Sequence, residues 1–315
     1  MSDKLFFLQP VFQHRIWGGR DLEEKFGYDL PEGSVGECWG ISAHPNGASI
    51  IKNGIYAGKI LSELWSHTPE LFGEQHTEVF PLLVKILDAN DDLSVQVHPN
   101  DAYAHQHEFG EFGKTECWYI LDCDDDANIV FGHNANTKEE MLRMVENGKW
   151  DQLLRRQPVK KGDFFYVPSG TIHAIGKGIL ILEVQQSSDT TYRLYDYGRR
   201  DSSGNLRQLH INKAIDASTI PHISVNPEPK MVTNSNELKI IQLVSNEFFT
   251  VFKYEVNGAS IHEFSKPATY SLVNIIHGSG LIDEMPVKKG DHIIVKQDAG
   301  ALTFVGVFDA IVTQP

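Results

Sequence analysis

Four polar side chains in the sequence have the types and the spacing to hold a metal ion. Gln96 and His98 lie two residues apart in SVQVHPND, and side chains two apart on a strand leave the same face. Glu116 begins an apolar run after GKT, and His173 follows VPSGTI where another apolar run ends. One amide oxygen, two imidazoles and one carboxylate suit Zn²⁺ or another divalent first-row ion, with room left for water or substrate.

The charge of such a site would also suit catalysis. A dication held by a single carboxylate keeps about one net positive charge, which can polarise a carbonyl or hydroxyl group. A second histidine pair, His105 and His107, lies in a predicted exposed helix, where positions i and i+2 do not face each other. We therefore expect these two histidines to be solvated.

Three more charged residues stand near the candidate ligands in the sequence. Lys114 lies two residues before Glu116, so an extended segment would place both on one face, with Lys114 as a proton carrier or phosphate contact. Asp189 and Arg193 are four apart in SSDTTYRLYD, which would also put them on one face of a strand. A guanidinium there can fork onto a phosphate or onto a developing oxyanion.

An aromatic and acidic group precedes these residues. Glu37, Trp39 and His44 are close together in GECWGISAHPNG, and Trp17 lies upstream in RIWGG. Tryptophan faces commonly pack against sugar rings, while burial in the core is the alternative for either tryptophan.

The apolar segments that must position these residues are short, rich in Val, Ile, Phe and Tyr, and bounded by turn residues. Such runs are typical of strands, and many in succession favour a sandwich or barrel. The clearest helix follows Thr137, which forms a capping box with Glu140, and the short segment KWDQLLRRQ extends this insertion over about residues 137–157. Weaker helix candidates are KILSELWSHTPELFG, NDAYAHQHEF with Asn100 as its N-cap, and HINKAIDAS.

A hexapeptide repeat predicts two related β domains. PVKKGD occurs at Pro158 and again at Pro286, each time before an apolar run. The offset that leads to His173 in the first copy leads to Ala301 in the second. Since TIPHISVNPEPKMVTNSNE between the copies lacks periodicity, we place a metal-binding domain over 1–225 and a second domain without metal ligands over 226–315.

Composition limits the class of protein. A chain of 315 residues with 41% hydrophobic and 22% charged residues suits two globular cores, and no apolar run approaches a membrane span. The formal net charge of −14 argues against nucleic acid and anionic membranes as partners. An odd number of cysteines, with no secretory signal in MSDKLFFLQP, argues for a reducing cytoplasm.

Taken together, these segments resemble the type I mannose-6-phosphate isomerases, in their short bacterial form, within the cupin superfamily. The later cupin motif, Gly-Asp-x4-Pro-x-Gly-x2-His, is met in full between Gly162 and His173, while the earlier one is altered to Gln-x-His with Glu116 displaced by an insertion. The matching segments run in order over nearly the whole chain: WGG, GECWGISAHPNG, FPLLVKILDAN, LSVQVHPND, GKTECWY, GDFFYVPSGTIHAIG and EVQQSSDTTYRLYD.

The resemblance implies an all-β dominated fold of two cupin (jelly-roll) β-barrel domains with a few inserted helices. It implies one Zn²⁺ per chain on the four candidate ligands, with Arg193 as the catalytic arginine. Lys114 and Asp189 match positions proposed for proton transfer, and which of them is the base stays open. Candidate substrate-binding residues inside the matching segments are Trp17, Glu37 and Lys85.

The implied activity is the interconversion of D-mannose 6-phosphate and D-fructose 6-phosphate through a cis-enediol. The expected partner is this small sugar phosphate, and the expected state is a cytoplasmic monomer. Two alternatives remain: a sugar-phosphate-binding cupin without catalysis, and an Fe(II) cupin oxygenase, because two histidines and a carboxylate also suit iron.

Overall fold

Strands make up most of the fold. The computed structural model describes residues 4–73, 77–201, 203–264 and 269–315. Its strands are β1 Leu5–Gln9, β2 Val11–Gly19, β3 Val35–Ile41, β4 Ile50–Ile51, β5 Leu82–Ala89, β6 Val95–Val97, β7 Glu116–Cys123, β8 Asn128–His133, β9 Leu154–Pro158, β10 Phe164–Val167, β11 His173–Ile175, β12 Ile179–Gln186, β13 Tyr192–Tyr195, β14 Lys230–Asn234, β15 Leu238–Ser245, β16 Thr250–Glu263, β17 Ser271–Ile282, β18 Met285–Lys288, β19 His292–Val295 and β20 Ala301–Gln314. Its α-helices are α1 Asp21–Phe26, α2 Leu61–His67, α3 Asp101–His107, α4 Lys138–Glu146, α5 Trp150–Leu153 and α6 Ile211–Ala217.

The strands form three sheets. A six-stranded sheet has the order β10-β7-β12-β5-β2-β3, and a five-stranded sheet has the order β13-β6-β11-β8-β9. A nine-stranded sheet runs β14-β15-β16-β20-β17-β19-β1-β4, with β18 paired to β17. The β-dominated fold class is confirmed, although the sheets do not close into a complete barrel. Strand β1 also pairs with β19, which places the N-terminal strand in the sheet built from the C-terminal residues.

The six-stranded and five-stranded sheets pack face to face. Trp118 and Ile120 on β7 lie in one buried cluster with Phe131 on β8 and Ile175 on β11. Because successive side chains on a strand point to opposite faces, Tyr119 and Leu121 leave the other side of β7. The sandwich therefore has an apolar cluster in part of its interior, and its six-stranded sheet has a second apolar face.

That second face is buried against the nine-stranded sheet. Val84 on β5 and Leu182 on β12 share a core cluster with Leu272, Ile294 and Ile311 from the nine-stranded sheet. The nine-stranded sheet holds a separate core on its opposite face. Residues of the nine-stranded sheet thus pack against one face of the six-stranded sheet, opposite the face that lines the interior of the sandwich.

Helices cover the outer face of the five-stranded sheet. Met141 on α4, Leu153 on α5 and Ile215 on α6 pack in one cluster with Val97 and Tyr192 of that sheet. The helix predicted after Thr137 is confirmed, and the weaker candidates correspond to α2, α3 and α6. None of the described helices is long and apolar enough to cross a membrane.

Both copies of PVKKGD fold into the same turn. The backbone N–H of Lys160 donates to Asp163 Oδ2 at 2.9 Å, and that of Lys288 donates to Asp291 Oδ2 at 2.8 Å. In each copy an aspartate side chain thus closes its own turn, a role for which a short carboxylate is well suited.

The glycine of each turn also has the same conformation. Gly162 has φ of 91° and Gly290 has φ of 90°, a region that is costly for residues with a Cβ. Beyond the turn the copies differ, because His173 is buried on β11 whereas Ala301 is exposed at the start of β20. The repeat therefore specifies a turn, and the histidine is a separate feature of the first copy.

We expect Asp163→Ala and Asp291→Ala each to lower the free energy of unfolding by about 1 kcal/mol, because each leaves a turn N–H without its carboxylate acceptor. Urea unfolding at neutral pH measures the effect. Lys160→Ala, which truncates an exposed side chain of the same turn, is the control and should change little. Equal stabilities of all three variants would show that the aspartates do not close the turns.

Candidate metal centre and active-site cavity

A polar cavity of about 430 Å³ lies between the six-stranded and five-stranded sheets. Its wall includes nine of the ten residues predicted as metal ligands, catalytic residues or substrate contacts. The tenth is His98, whose Nε2 lies 3.2 Å from the lining residue Lys114, and Trp39 and His44 lie outside the wall. The site residues in the wall are Trp17, Glu37, Lys85, Gln96, Lys114, Glu116, His173, Asp189 and Arg193.

The four candidate metal ligands meet in this cavity. His98 Nε2 lies 3.5 Å from Glu116 Oε2, and His173 Nε2 lies 3.4 Å from Glu116 Oε1. The Gln96 amide lies 3.5 Å and 3.4 Å from the same two imidazole nitrogens. Over the residues that the structure describes, His98, Glu116 and His173 are the one buried group of three His, Cys, Asp or Glu that could hold a metal ion.

Both histidines are held in the form that a metal ligand needs. His98 Nδ1 donates to the Thr190 carbonyl at 2.8 Å, and His173 Nδ1 donates to the Thr171 carbonyl at 2.9 Å, which makes each Nε2 the unprotonated nitrogen of its ring. Burial, and then the neighbouring Lys114 cation, lowers the pKa of His98 well below its ordinary value. Burial likewise lowers the pKa of His173 to about 4, so both imidazoles are neutral.

Lys114 lies inside the site as a cation. Its ammonium donates to Glu116 and lies 3.7 Å from Glu183 Oε1. Burial alone would lower the pKa of Lys114, but the carboxylates of Glu116 and Glu183 outweigh that effect and hold it above its ordinary value. The lysine is therefore protonated at neutral pH.

A second buried lysine, Lys85, lies between the carboxylates of Glu37 and Glu183. Its Nζ lies 4.0 Å from Glu37 Oε2, 3.8 Å from Glu183 Oε1 and 4.9 Å from the centre of the Trp39 ring. Burial and the Glu116 charge raise the pKa of Glu183. Burial would also raise the pKa of Glu37, but Lys85 and Arg15 outweigh it and lower that pKa.

The Glu37 carboxylate is occupied by protein donors. Arg15 donates to it twice, at 2.9 Å and 3.1 Å, and Trp39 Nε1 donates at 2.6 Å. Glu37 therefore orients Arg15 at the cavity wall, and its predicted part in substrate binding stays a prediction. Trp17 is almost fully buried and also lines the cavity, and its contact with a sugar ring stays a prediction.

Three guanidinium groups line the same cavity. Arg193 on β13 is paired in register with Gln96 on β6 and donates to Ser94 Oγ at 3.3 Å. Arg207 donates to the buried Asp196 at 3.1 Å, and Arg15 is held by Glu37. Because guanidinium groups bind phosphate oxygens in a bidentate manner, this wall suits a phosphate dianion.

Asp189 reaches the cavity from a loop. It precedes β13 and is exposed, and Asn46 Nδ2 lies 3.4 Å from its Oδ2. The expectation that Asp189 and Arg193 share one face of a strand is therefore wrong, because the strand begins only at Tyr192. Both side chains nonetheless line the cavity.

Sequence reasoning missed Arg15, Glu183 and Arg207. Two of them carried a usable signal, since Arg15 alternates with Trp17 on β2 and Glu183 is the one charged residue in the buried strand ILILEVQQ. A charge on a fully buried strand must be paired, which marks it for attention. Arg207 lies in a loop and had no such signal.

Comparisons with known proteins agree with the fold and the site. The family model for the phosphomannose isomerase type I catalytic domain matches residues 5–141. The family model for the mannose-6-phosphate isomerase cupin domain matches residues 239–315. The protein is thus of the cupin class. It has a site able to hold a metal, formed where two histidines, a glutamate and a glutamine converge between two sheets.

Relatives that match over their full length identify the family within the cupin class. Mannose-6-phosphate isomerase ManA of Bacillus subtilis is 51% identical and covers 99% of each chain. Mannose-6-phosphate isomerase of Streptococcus mutans is 50% identical, covering 99% of this chain and 98% of that one. A crystal structure of mannose 6-phosphate isomerase from Bacillus subtilis superposes with a TM-score of 0.96 at 46% identity, over 99% of this chain and 100% of that one. The chain belongs to the type I mannose-6-phosphate isomerase family.

We expect Lys85→Met to lower the free energy of unfolding by about 3 kcal/mol near pH 8, because it leaves two buried carboxylates without their shared cation. This loss of unfolding free energy should become smaller as the pH is lowered to about 5.5. Burial and the Glu116 charge already raise the pKa of Glu183, and loss of Lys85 raises it further, so acidification protonates this carboxyl in the folded state and restores stability.

Urea unfolding at the two pH values measures this difference. Lys52→Met, at an exposed position, is the matched control and should be neutral at both. A Lys85→Met penalty that grows on acidification would contradict the assigned charges.

Proposed function

We propose that this protein interconverts D-mannose 6-phosphate and D-fructose 6-phosphate through a cis-enediol. The observation that carries the proposal is one cavity in which a metal-capable group, a buried lysine and three arginines lie together. These are the parts that such a reaction needs: groups for the sugar oxygens, a proton donor and a phosphate site. The family to which the chain belongs supports the same reaction.

We propose one Zn²⁺ per chain, on Gln96, His98, Glu116 and His173. The donor set fits, because two neutral imidazole nitrogens, one carboxylate and one amide oxygen form a mixed N/O shell with low total charge. The Gln96 nitrogen faces the imidazoles here, and exchanging the two amide atoms by a half-turn would aim its oxygen at the same point. When bound, zinc would polarise the sugar oxygens without any electron transfer.

The proton is carried by residues of the chain. Lys114, held as a cation by Glu116 and Glu183, would donate to the oxygen on which charge develops. Asp189 at the cavity wall is the candidate base for the proton shuttled between C1 and C2, and its exposed loop position lets it approach the sugar. Glu183 is another carboxylate in the same wall, but it lies too close to Lys85 and Lys114 to move freely as Asp189 can.

The substrate's phosphate is assigned to the arginines. Arg193 lies on the strand beside Gln96, so a phosphate or an enediolate oxygen there would be close to the metal ligands. Arg207 and Arg15 are held in place by Asp196 and Glu37 and need little reorganisation on binding.

We expect purified protein to convert mannose 6-phosphate to fructose 6-phosphate, to lose this activity on chelation, and to regain it with Zn²⁺. A coupled assay of fructose 6-phosphate follows each step. Absence of turnover in zinc-loaded protein would overturn the isomerase proposal. Oxygen consumption dependent on Fe²⁺ would favour the oxygenase alternative, and tight binding of sugar phosphate without turnover would favour the non-catalytic one.

We expect Arg193→Ala to lower kcat/KM by roughly 100-fold or more, because it removes a charged donor aimed at the phosphate or the developing oxyanion. Arg200→Ala, at an exposed position in the segment after β13, is the matched control and should retain normal kinetics. Normal turnover by Arg193→Ala would remove this residue from the mechanism.

Two expectations concern the cell rather than the site. All three cysteines, Cys38, Cys117 and Cys123, are free thiols, in keeping with a reducing compartment. The cytoplasmic location and the monomeric state stay predictions.

A further inference from the structure

Arg207 has an unused hydrogen-bonding edge at the active-site cavity. Its Nη1 donates to Asp196 Oδ1 at 3.1 Å, whereas its Nε and Nη2 have no acceptor among the residues that the structure describes. Nε and Nη2 form one edge of the planar guanidinium, and such an edge offers two parallel N–H donors to a phosphate or a carboxylate. Arg207 therefore lines the cavity with a bidentate donor that no protein group occupies.

The other two arginines of the cavity wall already use this edge. Arg15 donates from Nε and Nη2 to the two oxygens of Glu37, at 2.9 Å and 3.1 Å. Arg193 donates from Nε to Ser94 Oγ at 3.3 Å. Within the described part of the chain, Arg207 is thus the one arginine of the wall whose bidentate edge is open to a ligand.

A buried carboxylate fixes the position of Arg207. Asp196 is only 3% exposed, and its Oδ1 accepts hydrogen bonds from both Arg207 and Arg199. Arg199 is held in turn by the Asp92 carbonyl, and its own carbonyl accepts from the Arg207 backbone N–H at 3.3 Å. Because Asp196 directly follows β13, Arg207 is tied to the five-stranded sheet although it lies in a loop.

Arg207 also has a defined place relative to the candidate metal ligands. Arg193 is paired in register with Gln96 on β6. Its Nη1 donates at 2.8 Å to the carbonyl of Gln208, the residue after Arg207. The wall thus runs from the ligand Gln96 through Arg193 to Arg207. A sugar phosphate whose reacting carbons lie at the metal ligands would bring its phosphate towards Arg207.

Positive charge is in excess around this edge. Arg199 and Arg207 share the single carboxylate of Asp196, and Arg199 also lies 3.8 Å from the exposed Asp91. Arg193 has no carboxylate within 4.0 Å among the described residues. Three guanidinium groups thus face two carboxylates, which favours the binding of an anion.

We propose that Arg207 binds the substrate's phosphate through its Nε–Nη2 edge and that the buried Asp196 is its positioning residue. This inference rests on the proposed isomerase function and assigns one part of it to one side chain. Arg193, beside Gln96, is then left for the sugar oxygens nearer the metal ligands.

Titration calorimetry with glucitol 6-phosphate tests this assignment. Glucitol 6-phosphate has no carbonyl group and cannot isomerise, so its binding is measurable whether or not the protein turns over mannose 6-phosphate. We expect Arg207→Gln to bind it at least about tenfold more weakly than the unmodified protein, because a charged bidentate contact is lost. The fold should persist, since Asp196 keeps Arg199 as a partner.

Arg200→Gln is the matched control for this titration. It loses the same charge from an exposed position of the same segment and should bind glucitol 6-phosphate normally. Equal affinities of Arg207→Gln and Arg200→Gln would overturn the phosphate assignment.

Kinetics with mannose 6-phosphate separate phosphate binding from a role at the reacting carbons. Loss of a contact that is equally strong in the ground state and the transition state raises KM and leaves kcat nearly unchanged. We expect this result for Arg207→Gln, with a smaller rise in KM for Arg207→Lys, which keeps the charge without the planar fork. A large fall in kcat at unchanged KM would contradict the assignment. Absence of turnover in the unmodified protein would refute the isomerase function alone, because the titration still reports on Arg207.

A double-mutant cycle tests the positioning role of Asp196. Asp196→Asn keeps an oxygen for Arg207 but removes the charge that strengthens the hydrogen bond, so we expect it to weaken glucitol 6-phosphate binding about threefold or more. In the Arg207→Gln background the same change should have no further effect, because Asp196 acts through Arg207. Unchanged affinity of Asp196→Asn, or effects that simply add in the double variant, would show that Asp196 does not position Arg207.

Discussion

One buried carboxylate organises the active-site cavity. Glu116 is fully buried and lies among Lys114, His98 and His173, and Trp118 Nε1 donates to it at 3.1 Å. An ionised carboxylate without partners would be costly at such a position. The surrounding groups must therefore stay close to it. The metal-capable arrangement and the protonated state of Lys114 both follow from this requirement.

The sheets provide the rigid frame that this arrangement needs. Glu116 starts a strand of the six-stranded sheet, while Gln96 and His173 face each other in register on the five-stranded sheet. The nine-stranded sheet buries the back of the strands that carry Glu116 and Glu183. The nine-stranded sheet, whose described residues include no buried group of His and Glu of this kind, can thus serve the site by holding its strands in place. The same turn is formed by both copies of PVKKGD, whereas the candidate metal-binding histidine follows only the first.

The sequence predicted best what depends on local spacing. Gln96 and His98 were expected on one face because they are two apart, and they do converge. The turns of the repeat and the helix after Thr137 likewise follow from short-range rules. Contacts between distant segments were out of reach: strand β1 pairs with β19 near the other end of the chain, and Arg207 is placed by Asp196 in an irregular loop. The predicted placement of Asp189 on a strand was wrong for another reason. The strand begins after Asp189, later than the alternation of residues in the sequence suggested.

The most direct test of this account is anomalous diffraction at the zinc edge from crystals of the protein loaded with zinc. The account predicts one peak in the active-site cavity, within bonding distance of His98 Nε2, His173 Nε2 and a Glu116 oxygen. A cavity without a peak, or zinc bound only at the exposed His105 and His107, would contradict the claim that the buried carboxylate and its neighbours form a metal centre.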